Sequence, residues 1–193
     1  KSELQLLHKL KKDISNDIKS VKRFDTIYEK RETDGKLALE LFHKAKTVKD
    51  MDSVNKLTNG SWNDLILNTS TYNEMMNNGI LYNMQNQELQ DLITSYYLRV
   101  DVDKNHMKQI NNGQLEMYYH NPELNNYLFL KQQLYTKQVP LDRIDTTWIN
   151  NPSSSTYLAV SQYLEANQIL NFGWRRNLYG WTKDNAELLL KSI

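Results

Sequence analysis

"LQLLHKLKKDISNDIKSVKRFDTIYEK", residues 4–30, is the stretch on which the fold class turns. Leu4, Leu7, Ile14, Ile18, Val21 and Tyr28 recur at steps of three, four or seven, the spacing that lines up side chains on one face of a helix. Lysines and carboxylates fill the opposite face, so the apolar stripe needs other helices to cover it. The pattern resumes in Leu37, Leu41, Ala45 and Val48, and no proline occurs before Pro122. One long helix is therefore predicted from about Ser2 to Lys46, bent near Gly35.

Downstream, the periodicity fades between Thr47 and Asn68 while Asp, Asn, Ser and Gly accumulate, which reads as a connection with at most short helical pieces, pinned to the core by Trp62, Leu65 and Ile66. Thr71 and Glu74 have capping-box spacing for a short helix, and Gly79, after Asn77 and Asn78, suits a left-handed stop. Asn86 can cap a second long helix from about Gln87 to Tyr118, with Leu89, Leu92, Ile93, Tyr96, Tyr97, Val100, Met107, Ile110 and Leu115 at helical spacing. Asn121-Pro122-Glu123 is a third start signal, opening a helix with Leu124, Tyr127, Leu128 and Leu134 that Pro140 ends.

Asn151, Pro152 and three serines open the last helix, with Leu158, Tyr163, Leu164, Ile169, Phe172, Leu178, Trp181, Leu188 and Leu189 as core candidates. Gly173 and Gly180 fall inside it, which points to a bend or a close helix contact. Strand-like alternation is nowhere sustained. The expected fold is all-α: an antiparallel helical bundle of three long helices plus one or two short ones, in a single domain over residues 1–193.

Composition narrows the function classes. Basic and acidic side chains nearly cancel, 24 against 23, which removes the general electrostatic case for nucleic acid. Cysteine is absent, excluding disulfides, thiol nucleophiles and cysteine-held metals. Glu40-Leu41-Phe42-His43 spells the Glu-x-x-His of di-iron bundles, but no second copy occurs. Asp101, Asp103 and Asn105 match the start of a calcium-binding loop, yet His106 and Asn112 stand where glycine and glutamate belong. Neither a Gly-x-Ser-x-Gly elbow nor a phosphate-cradling glycine loop is present. No catalytic residue, cofactor or metal is assigned.

The segment "NFGWRRNLYGW", residues 171–181, combines Trp174, Arg175, Arg176, Tyr179 and Trp181. These residue types are enriched at binding hot spots because they join large contact area to a polar handle. They are the candidate ligand or partner site; the competing reading is core aromatics with arginines over their faces.

Residues 69–97, "TSTYNEMMNNGILYNMQNQELQDLITSYY", read as a structural corner: a capped short helix, a glycine reversal and a tyrosine pair. Through Tyr72, Glu74, Gly79, Leu81, Asn86, Leu89, Ile93, Tyr96 and Tyr97 the stretch resembles an uncharacterised family from Bacteroidota, with Met75 standing where leucine is expected. The resemblance implies an N-terminal transmembrane helix, not contained in these 193 residues, followed by an extracytoplasmic helical domain on the periplasmic side. It supplies a setting and no mechanism. The expected function is a membrane-tethered domain that binds a protein partner or a small ligand without catalysis. The alternatives are an enzyme whose carboxylates and aromatics converge in an unrecognised cleft, and a structural oligomerisation module.

Overall fold

The computed structural model describes residues 2–58, 63–137 and 140–193, the side chains at 167 and 168 excepted. Trp62, expected to pin the first connection, lies outside the described residues. The fold is all-α, and no strand occurs among the described residues. The helices are α1 (Glu3–Lys44), α2 (Val48–Leu57), α3 (Ser70–Asn77), α4 (Gln87–His120), α5 (Asn125–Thr136), α6 (Ser155–Glu165) and α7 (Asn171–Ser192). No described helix is long and apolar enough to cross a membrane. The chain divides into two compact units, one of Lys1–Ile27, Asn63–Gln109 and Arg175–Ile193, the other of Tyr28–Trp62 and Ile110–Trp174.

The first unit is held by α1, α3, α4 and α7. Leu6, Leu10, Ile14, Ile18 and Val21 are buried, whereas Leu4 is exposed. Leucines at 4, 6, 7 and 10 cover more than one face, and the packed stripe runs through 6 and 10 instead of 4 and 7. Two ion pairs give the relative direction of α1 and α7. Lys22 reaches Glu187 at 2.9 Å and Asp25 reaches Arg176 at 3.3 Å, so one helix ascends as the other descends. Phe24 stacks on Tyr179 with ring centroids 5.7 Å apart between those pairs.

The corner at 69–97 departs from expectation at its cap. Thr71 is buried within α3, not before it, and its hydroxyl donates to Asp13, while Glu74 pairs with Lys9 at 3.0 Å. The capping box is found at Thr47 and Asp50 instead: the Asp50 amide donates to Thr47 Oγ1 at 3.2 Å and the Thr47 amide to Asp50 at 2.8 Å. It starts α2, a ten-residue helix in the segment expected to be mainly connection. Ile66, expected to anchor that segment, is 81% exposed, and Leu65 does the anchoring.

Gly79 behaves as the sequence suggests. Its φ is +69°, its amide donates to Met76 O, and its carbonyl accepts from Asn83 Nδ2 at 2.8 Å. A Cβ there would meet Asn83 Nδ2 only at 3.6 Å, an ordinary contact, so alanine is strained by the backbone alone. Gly79→Ala is expected to lower the unfolding free energy by about 1–2 kcal/mol, read from urea denaturation. A change within 0.3 kcal/mol would contradict the left-handed turn. After it, Tyr72 stacks on Tyr97 at 4.2 Å and Tyr96 meets Tyr97 edge-on at 4.9 Å.

Asn86 caps α4 through the Leu89 amide at 3.1 Å, and Asp101, Asp103 and Asn105 simply continue that helix. The last helical run is continuous through a π-helical segment, Ala166–Leu170, that joins α6 to α7. Gly173 and Gly180 face open space, so neither marks a close helix contact. Leu158, Trp181 and Leu188, expected in the core, are about half exposed, as is Leu115 to a lesser degree.

The second unit is built on aromatic packing. Phe42 lies 4.6 Å from Tyr157 and 6.5 Å from Trp148, Trp148 meets Tyr127 at 6.3 Å, and Tyr127 meets Tyr163 at 5.8 Å. The line continues to Tyr118 and then Tyr119, at the end of α4.

Candidate ligand-binding site

That aromatic line leads from a buried core to a groove. In α5, Tyr127 and Leu130 turn inward. Asn125, Leu128, Phe129, Gln132 and Tyr135 fall at steps of three, four, seven and ten from Asn125, one continuous stripe of the helix. Together with Tyr118, Tyr119 and Lys131 they line a groove of about 450 Å³. A second groove of about 440 Å³ adjoins it, sharing Phe129 and Gln132 and adding Arg143, Ile144 and Asp145. Both volumes are in the range of small-molecule sites.

The lining is unusual for a bare surface. Tyr119 is 70% exposed, Phe129 63% and Tyr135 79%. Single exposed aromatics are ordinary, but three beside one groove form a platform for a flat apolar body. The amides of Asn125 and Gln132 add donors and acceptors along it. The inner wall is packed: Tyr118 meets both Tyr119, edge-on at 5.2 Å, and Tyr163. A wall ordered before a ligand arrives lowers the entropy lost on binding.

Lys131 is half-buried at the edge of this groove. Its Nζ donates to the Thr58 carbonyl at 3.2 Å and to Thr58 Oγ1 at 3.3 Å. Thr58 is the C-cap of α2, so the ammonium meets the negative end of a helix dipole. Removal from water pushes its pKa down to about 8, because a charged group is penalised by burial. At the adjoining groove Asp145 accepts from the Thr147 amide and hydroxyl at 2.9 and 2.7 Å. These bonds hold its carboxyl below the usual range.

The residues singled out in "NFGWRRNLYGW" differ in burial and in partners. Trp174 is 60% exposed on α7. Within the first unit, Arg175 and Tyr179 are fully buried, Arg176 pairs with Asp25, and Trp181 lies under Arg99 at 5.4 Å. Trp181 and Arg99 share an open depression with Asp184 and Asn185, but Arg99 is already paired with the buried Asp103 at 2.9 Å. Helical spacing divides the segment by burial: Arg175 and Tyr179, four apart, are buried, whereas Trp174 and Trp181 are exposed.

Glu40-x-x-His43 places His43 Nδ1 3.2 Å from the Tyr157 hydroxyl. No group of three or more His, Asp and Glu side chains suited to a metal occurs among the described residues. The groove residues Phe129, Lys131 and Tyr135 escaped sequence reading. Their signal was there: "YLFLKQQLY", residues 127–135, carries more apolar side chains than one helix face can bury. No protein-family model, curated protein or solved structure matches the chain.

Proposed function

We propose that this protein is a non-catalytic binding module whose ligand lies in the groove between α5 and the end of α4. The observation that carries this reading is the exposed row Tyr119, Phe129 and Tyr135 beside a groove of about 450 Å³. A small molecule with a flat apolar body fits that row, and the Asn125 and Gln132 amides suit polar groups on its rim. The membrane-tethered, extracytoplasmic setting belongs to the same proposal and is supported by the resemblance of residues 69–97.

The test is a ¹H–¹⁵N NMR titration with a panel of naphthalene and indole compounds. Shift changes are expected to centre on residues 118–135. The double variant Phe129→Ala/Tyr135→Ala alters two exposed side chains and is expected to keep its melting temperature within about 2 °C while weakening binding tenfold or more. Shift changes confined to other residues, or undiminished in the double variant, would contradict the assignment.

A further inference from the structure

We propose that the Lys131 ammonium makes the α4–α5 groove selective for aromatic ligands that carry a carboxylate. This deepens the binding reading above and rests on it. Among the described residues lining the groove, Lys131 is the one with a charge; the others are aromatic, aliphatic or amide. An ammonium has three donor hydrogens, and those of Lys131 meet two oxygens, both of Thr58. The same two bonds hold the nitrogen in place, so a ligand does not have to order it.

Among the described residues, no carboxylate is paired with that charge. On α2, Asp52 and Lys56 line the far side of Lys131 but pair with each other at 2.7 Å. The titratable groups beside it on α4 and α5 are the phenols Tyr118, Tyr119 and Tyr135. No described carboxylate forms an ion pair with Lys131. Burial already opposes its charge, yet with a pKa of about 8 it stays largely protonated at neutral pH.

A carboxylate entering the groove would supply a counter-charge where water screens it poorly, and accept a charge-assisted hydrogen bond from Nζ. A neutral compound of the same shape gains only the contact with Tyr119 and Phe129. The chemistry that Lys131 recognises is therefore an aryl carboxylate, with its ring on the aromatic row and its anion at Nζ.

The experiment compares 2-naphthoate with 2-naphthamide, which share shape and differ in charge, by NMR titration at pH 7. The wild-type protein is expected to bind the acid at least tenfold more tightly. Lys131→Gln is expected to abolish that preference, whereas Lys131→Arg keeps most of it. Because Lys131→Gln also removes the cap on α2, the wild-type protein gives an independent reading: the Lys131 ¹³Cε resonance should move with 2-naphthoate and stay put with 2-naphthamide. Equal binding of both probes, or a preference for the acid that survives Lys131→Gln, overturns the selectivity and leaves the groove reading standing. Binding of neither probe overturns both.

Discussion

Replacing Phe42 by alanine is expected to lower the unfolding free energy by about 3–5 kcal/mol, the range for deleting a fully buried phenylalanine. Phe42 is completely buried, and its ring is the link between Tyr157 and Trp148 in the second unit. The cost combines lost apolar burial with a cavity that the tilted rings around it cannot easily refill. Against a typical total of about 5–15 kcal/mol this is a large fraction. Urea denaturation followed by fluorescence and by circular dichroism gives the change. Phe42→Leu, which retains most of the volume, should lose much less. A loss below 1 kcal/mol for the alanine variant would mean that the aromatic line does not organise this unit.

The second large effect is a pH dependence centred on Asp17. Its side chain is buried on α1, accepts from the Asn68 amide at 3.1 Å and also from the Asn68 side chain. Desolvation outweighs those bonds and pushes the carboxyl up to about 6, with Asp13 adding to the rise and Lys104 opposing it. A pKa raised in the folded state means that the folded protein holds this proton more tightly than the unfolded chain. The stabilising contribution is therefore complete below about pH 4 and is lost as pH rises through 6. A shift of about two units corresponds to about 3 kcal/mol across that window.

Asp17→Asn removes the titration while keeping an acceptor for Asn68. The expected result is a flatter stability profile between pH 4 and pH 7 than in the wild-type protein, measured as urea midpoints. If the two profiles run parallel, Asp17 is not the group responsible.

How far the sequence reading reached depends on distance along the chain. Long periodic stretches specified α1 and α4 to within about two residues at each end, because dozens of side chains vote for one period. Short-range signals were ambiguous: Thr47/Asp50 and Thr71/Glu74 both fit a cap, and only packing against Asp13 and Lys9 decides that the second is used otherwise. Pro140 looked like the end of α5, but the helix stops at Thr136 with Lys137 in the left-handed region, φ 56°.

Buried polar groups were the least legible. Asp17 finds Asn68 and Asp103 finds Thr182, partners 51 and 79 positions away. Nothing local in either sequence neighbourhood marks them as interior. The groove stayed hidden for a nearer-range reason: Tyr119 and Phe129, ten positions apart on different helices, line one groove only once α4 and α5 are placed. The aromatic density of residues 171–181 drew attention instead, although burial divides those side chains: Tyr179 and Arg175 are interior, and Trp174 and Trp181 are exposed.

The most direct test of the central claim is a set of intermolecular nuclear Overhauser effects between the ring protons of bound 2-naphthoate and the aromatic side chains. The account predicts contacts to Tyr119, Phe129 and Tyr135 and none to Trp174 or Trp181. Contacts to either tryptophan without any to Phe129 would contradict it and return the site to residues 171–181.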